Sequence, residues 1–249
     1  MIEIHAARMI ALLAGSTLKA AAVILAVALF LRILRRLSAQ SRAAIWFAAV
    51  LAGGAMPFFA LVLPSMDLGL AIEPRWLAAN ELNLQPGTAA AAGSPGSLSI
   101  WSLALGAYGL GAVLILIRFL LQIRQVGQLA RRPLALDSAP ARACLRELIE
   151  NLDLCRNPRL LYLPNIRTPV TWGLIRPRIG LPREAAAWPN DRLRNALIHE
   201  LAHIKRCDWH RLSAMRLVLA MHWFNPLVWY AVRRCEYQTE LACDPIGVL

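Results

Sequence analysis

The sequence predicts a membrane α-helical bundle of three transmembrane helices joined to a small α+β domain. Three observations carry that reading. The 249 residues are 58% apolar, with a mean hydropathy of +0.49, against about 45–50% apolar in an ordinary soluble domain. The apolar residues of the first half gather into three runs long enough to cross a bilayer. The second half alternates amphipathic helical pattern with short β-type runs.

The first span covers about 8–31 and ends at Arg32, Arg35 and Arg36. No small-residue cleavage site follows it and more spans do, so it reads as an anchor and not a signal peptide. Lys19 lies inside this run, where snorkelling or pairing within the bundle is the ordinary expectation. The second span, 43–64, holds Gly53, Gly54 and Pro57, which suit close helix packing and a kink. A loop at 65–98 contains QPGTAAAAGSPGS, which has no helical period. The third span runs over about 99–121.

Charge gives the orientation. Net charge is +12, and residues 1–121 hold only eight of the 27 Lys/Arg and four of the 15 Asp/Glu. Arg32, Arg35, Arg36 and Arg42 lie between spans one and two, and Arg124, Arg131 and Arg132 follow span three. The 65–98 loop has Arg75 against Asp67, Glu73 and Glu81. Positive charge stays inside, so the N-terminus and the 65–98 loop are read as extracytoplasmic and residues 122–249 as cytoplasmic. No RRM, zinc-finger or helix-turn-helix pattern accompanies the arginines, so the partner implied is the lipid bilayer, with no direct nucleic acid. Five cysteines, an odd number without a C-x-x-C pair, point to free thiols in a reducing compartment.

The polar half opens with a helix expected over 139–153, with Ser138 as N-cap and Leu145, Leu148, Ile149 and Leu152 as its apolar face. Short β-type runs follow at 159–163, 169–175 and 178–182, separated by Pro and Gly, and suggest a small, partly antiparallel sheet. Pro189, Asn190 and Asp191 then start a long helix.

That helix carries HELAHIKRCD, residues 199–208. His199 and His203 are four apart and project from one face. Two imidazoles at that spacing can hold one zinc ion at about 2.0–2.1 Å. Glu200 is one residue round and placed to take a proton from a water that the metal activates, the H-E-x-x-H pattern of zinc peptidases. A catalytic zinc site needs a third protein ligand. Glu240, in EYQTELACD, can supply it, and Asp244, four residues on, can hydrogen-bond a ligand histidine from behind. Glu236 lies four residues before Glu240, so the two could be exchanged. Cys243 and Cys207 rank lower, because thiolates usually close structural sites. Asp208 could cap a turn or support the site, and His210 or His222 could stabilise an oxyanion, though packing is their commoner use.

Residues 212–232 are apolar enough to suggest a fourth span. A crossing would place Glu240 about 30 Å from the histidines. The Asn225–Pro226 break instead allows a helical hairpin that returns to the same side and forms the back of the domain, its HWFNPLVWY aromatics either resting at the membrane surface or packing in the core.

HELAHIKRCD, HWFNPLVW, ELACD and TPVTWGLIRPRIGLP together resemble the BlaR/MecR-type family of bacterial integral-membrane zinc metallopeptidases. The resemblance implies a zincin-like metallopeptidase domain of gluzincin type, with Zn2+ held by His199, His203 and Glu240 and with Glu200 as general base. It implies that Pro169, Val170, Thr171, Trp172 and Gly173 form the strand beside the cleft, on which an extended substrate pairs by strand addition. It also implies a multi-pass protein of the bacterial cytoplasmic (inner) membrane that hydrolyses a cytoplasmic protein of transcriptional-repressor type in signal transduction, with a homo-oligomer as one form. Fuller members continue into a further span and an extracytoplasmic β-lactam sensor, and this sequence, ending at Leu249, is read without them. Two rival readings stand beside it: an HtpX-like quality-control membrane peptidase, and a non-catalytic membrane receptor or scaffold that keeps the peptidase fold.

Overall fold

A computed structural model describes residues 2–62, 100–129, 133–134 and 139–243. The 65–98 loop, Ser138 and Asp244 lie outside the described residues. The chain forms α1 (Ile2–Ile33), α2 (Ala39–Val62), α3 (Ile100–Leu129), α4 (Ala139–Asn151), β1 (Arg159–Leu163), β2 (Val170–Trp172), β3 (Arg178–Pro182), a 3-10 turn (Arg183–Ala187), α5 (Asn190–Lys205), α6 (Asp208–Met221) and α7 (Pro226–Leu241).

The first three helices contain stretches long and apolar enough to cross a membrane, His5–Ile33, Ala39–Ala60 and Ile100–Gln128. Helix α1 outruns its expected span at both ends, α2 begins before residue 43, and α3 continues past Leu121 to Leu129. The α1–α2 turn is closed by its own side chains. Ser38 Oγ caps α2 by accepting from Ser41 N at 3.1 Å. Arg42 donates to the Arg35 carbonyl at 2.7 Å, which satisfies the end of α1. Gly53 lets α2 approach Ala20 of α1, as the small-residue pair suggested. Lys19 is exposed on α1, the setting for snorkelling.

The sheet has the order β1-β3-β2, with β1 parallel and β2 antiparallel to β3. Strands β1 and β3 match their expected bounds. The second strand stops at Trp172, not Ile175, because Gly173 turns the chain with φ +107. A Cβ there would stand 2.4 Å from the Arg176 carbonyl oxygen, so only glycine fits. One core joins α4, the sheet and α5 through Leu145, Leu148, Ile179, Leu181, Leu197 and Leu201.

A second core joins the apolar helices to the α6–α7 hairpin through Ile24, Trp46, Val50, Leu219, Val228 and Val232. The break falls where Asn225–Pro226 predicted it. Asn225 Oδ1 accepts from Leu227 N at 2.9 Å and Pro226 takes the first helical position. Of the two placements read for the hairpin, packing is the one observed. Its tip contacts Thr17 of α1 and Tyr108 of α3. Asn225 Nδ2 donates to the Thr17 carbonyl at 3.4 Å. Tyr108 OH donates to the Met221 carbonyl at 2.7 Å, and Trp223 Nε1 to the Tyr108 carbonyl at 3.2 Å. Thr17 is about 24 Å along α1 from Ile33 at 1.5 Å per residue. The hairpin tip is therefore held against the apolar helices, where Thr17 and Tyr108 supply partners for its polar groups.

Two glycines of α3 provide a test with opposite signs. A Cβ on Gly111 would stand 2.3 Å from the Trp223 indole, whereas Gly109 faces open space. Gly111→Ala should destabilise the detergent-solubilised protein by about 1–3 kcal/mol through overpacking. Gly109→Ala should be neutral or stabilise by up to about 1 kcal/mol. Denaturant or thermal unfolding of both variants checks this.

Candidate metal centre

Helix α5 supplies the first half of the site. Its i, i+4 spacing brings the rings of His199 and His203 to a centroid distance of 5.0 Å. Glu200 faces the sheet, is only 6% exposed, and accepts a hydrogen bond from Thr171 Oγ1 at 2.6 Å. That short contact fixes the carboxylate against β2.

The chain then reverses at Cys207, a non-glycine residue in the left-handed region with φ 57. The reversal returns Asp208 to α5, where its Oδ2 accepts from His203 Nδ1 at 2.9 Å. Arg206 donates to the same oxygen from Nε at 3.2 Å and from a terminal nitrogen at 2.8 Å. The carboxylate behind a site histidine is thus Asp208. The sequence reading gave that role to Asp244, which lies outside the described residues. Arg206 was not singled out from sequence; its position directly after the motif helix was the available signal.

Helix α7 supplies the other half. Glu240 Oε2 stands 3.7 Å from His199 Nε2 and 3.8 Å from His203 Nε2. Glu236 instead pairs with Arg216 at 2.9 Å, so the structure brings Glu240 and not Glu236 to the imidazoles. Cys243, fully buried, has its Sγ 3.4 Å from both ring nitrogens of His203 and in contact with the Arg206 guanidinium. Ligand donor atoms of His199, His203 and Cys243 all lie within 4.8 Å of one another. Atoms around one tetrahedral zinc stand roughly 3.3–3.6 Å apart, given bonds of about 2.0–2.3 Å. The donor set and its spacing therefore fit a zinc-like ion held by His199, His203 and Glu240, with Cys243 adjoining.

The site opens into a cleft of about 580 Å³. Pro169, Val170, Thr171 and Gly173 line it along the β2 side. Trp172 points the other way, into a cluster with Leu161 and Leu163, as strand alternation requires. His210 lines the cleft with its Nδ1 buried and without a hydrogen-bond partner among the described residues. His222 lies at the hairpin tip, its Nδ1 3.4 Å from Thr17 Oγ1 and remote from the cleft lining.

Burial disfavours a charged His203, but hydrogen bonds to Asp208 and Cys243 outweigh it and raise its pKa to about 10. Burial likewise opposes ionisation of Asp208, and the bonds from His203 and Arg206 hold it below the usual carboxylate range. The His199 imidazole lowers the Glu240 pKa, burial opposes this, and His203 adds to the lowering.

Three apolar helices, a small mixed sheet, and an H-E-x-x-H helix met by a second helix that brings Glu240 define an integral-membrane metallopeptidase class. The chain belongs to the BlaR1 peptidase M56 family, which it matches over residues 11–248. It is 29% identical over 135 residues to regulatory protein BlaR1 of Bacillus licheniformis, covering 54% of this chain and 22% of that protein. It is also 29% identical over 84 residues to the methicillin resistance mecR1 protein of Staphylococcus aureus, covering 33% of this chain and 14% of the relative. The matches thus span only a minor part of these relatives' length.

A coordinating imidazole must give up its ligand-side proton. Metal and proton therefore compete at His203, and metal affinity should climb with pH through neutrality. Calorimetry in buffers of differing ionisation heat should show proton release on binding; an affinity unchanged between about pH 6 and 9 contradicts this. In the metal-free protein the sign reverses. The raised pKa contributes stability that is full below the ordinary value of 6.5 and is lost as pH rises towards about 10.

Proposed function

We propose that this chain is a membrane-embedded zinc metallopeptidase that hydrolyses peptide bonds of a cytoplasmic protein, in signalling of the repressor-cleaving kind. The observation that carries the proposal is the approach of Glu240 to both imidazoles, 3.7 and 3.8 Å, beside a buried Glu200. A histidine pair on an ordinary structural helix has no need of a carboxylate returned from 40 residues away.

His199, His203 and Glu240 would hold the zinc. When bound, it supplies a Lewis acid that polarises a carbonyl and lowers the pKa of water to about 7. Glu200 takes the proton at its carboxylate and later gives it to the leaving amine. Thr171 holds that carboxylate through Oε2. Asp208 accepts from His203 Nδ1, which leaves Nε2 as the ligand atom and fixes the ring. Among the described residues strand β2 is an edge strand, paired with β3 alone. Its free edge beside the cleft suits pairing with an extended peptide.

The orientation follows from where the site stands relative to the basic turn. Cys235 Sγ donates to the Ala43 carbonyl at 3.4 Å, and Arg211 lies over the Phe47 ring at 5.6 Å. Both contacts fall near the start of α2, next to Arg32, Arg35, Arg36 and Arg42. The site-bearing ends of α6 and α7 therefore share the arginine-rich end of the apolar helices. The positive-inside rule makes that end cytoplasmic, with the N-terminus outside. Residues 122–249 then form the cytoplasmic peptidase region apart from the hairpin tip.

Zinc content and cleavage of a quenched-fluorescent casein test the proposal in the solubilised full chain. Glu200→Ala should keep the metal and lose cleavage by about 10²–10⁴-fold. Glu240→Ala should bind metal weakly. Metal lost in Glu236→Ala but kept in Glu240→Ala would overturn the assignment. Thr171→Val should keep the metal and lower kcat about tenfold, because a charge-assisted hydrogen bond contributes about 1.5–3 kcal/mol. Unchanged kcat would remove Thr171 from the site.

A further inference from the structure

We infer that Cys243 is a fourth protein ligand whose coordination closes the metal site, so that the metal-loaded protein has a latent form. The inference rests on the zinc-site reading above and concerns what occupies the position that catalysis needs open. A catalytic zinc site has three protein ligands and one free position, whereas a site with four is closed.

The C-terminal end of α7 and the turn that follows it carry both donors. Glu240 and Cys243 are three residues apart, a spacing that puts two side chains on one helical face. The backbone holds that register past the helix end, with Cys243 N donating to the Glu240 carbonyl at 2.9 Å. Arg206 pins the turn from the α5–α6 side. Its guanidinium donates to the Ala242 carbonyl at 2.8 Å and to the Thr239 carbonyl at 3.2 Å, which satisfies two C-terminal carbonyls of α7. The same group touches Cys243 Sγ and Asp208. One side chain thus ties the carboxylate behind His203, the end of α7 and the thiol together.

The donor atoms of His199, His203 and Cys243 are grouped within 4.8 Å of one another. Sγ stands 3.4 Å from both ring nitrogens of His203, off the Nε2 lone-pair axis, and a rotation about the Cys243 Cα–Cβ bond carries it to the Nε2 side. A simple packing role is the alternative, since free cysteines are among the most buried residues. Cys235 on the same helix shows what that role looks like. It is buried within the apolar core beside Val228, Ala231 and Val232. Cys243 is equally buried, yet its sulfur faces an imidazole and a guanidinium.

Coordination needs no oxidant. The thiol S–H bond breaks, its proton goes to solvent, and a sulfur lone pair is donated to the metal. Four protein ligands then exclude both water and a substrate carbonyl. Opening requires the end of α7 to withdraw Cys243, and the grip of Arg206 sets how readily it does so.

The test is metal spectroscopy of the full chain in detergent. Cobalt(II)-loaded wild type should show a near-ultraviolet thiolate-to-metal charge-transfer band. The band should vanish in Cys243→Ser and persist in Cys207→Ser, whose thiol lines the same cleft. X-ray absorption of zinc-loaded wild type, which requires no variant to fold, should show one sulfur at about 2.3 Å among nitrogen and oxygen neighbours. Bound metal without a sulfur neighbour, or a band lost in Cys207→Ser instead, overturns the role of Cys243 and leaves the His199–His203–Glu240 reading intact. Failure of the wild type to bind metal at all overturns both.

Discussion

The structure depends on one junction, the approach of the C-terminal turn of α7 to the imidazole pair on α5. The two helices belong to different cores. Helix α5 is anchored through Leu197 and Leu201 to the sheet and α4. Helix α7 is anchored through Val228 and Val232 to α1, α2 and α6. A metal shared by His199, His203 and Glu240 would therefore bridge two separately packed bodies. Such a site is only as well formed as the contact between them, which makes the contact the natural place for control.

What holds the junction is a small polar network with little solvent around it. Asp208 receives His203 and Arg206, and Arg206 continues to the end of α7. Buried ionic groups are costly unless every partner is present. Removing one member would leave the others uncompensated, so the network behaves as a unit. The left-handed Cys207 makes it possible, because a helical residue there would carry Asp208 away from His203. The hairpin closes the arrangement from the other end. Its polar tip bonds to Thr17 and Tyr108, which anchors the hairpin among the apolar helices.

The parts legible in the sequence were those set by local pattern. Apolar runs marked three long helices, i, i+4 histidines marked one face of α5, and Asn225–Pro226 marked the hairpin break. Other features were set by tertiary contact and left no local trace. The apolar residues of 212–232 signal burial but do not say against what, and their partners turned out to be the apolar helices. Glu236 and Glu240 are equivalent by spacing and are separated only by Arg216, twenty residues before Glu236. Asp208 was read only as a turn cap or a support for the site, because a left-handed cysteine that aims it at His203 is not foreseeable from residue type. Gly173 shortened β2, where strand propensity alone favoured continuing to Ile175.

The central claim is one ion gripped from both bodies at once. Anomalous diffraction at the zinc edge of the metal-loaded protein tests it most directly. The account predicts a single peak about 2.0–2.2 Å from His199, His203 and the Glu240 carboxylate. A peak ligated by the histidines with Glu240 turned away, or a peak placed elsewhere in the chain, would contradict it.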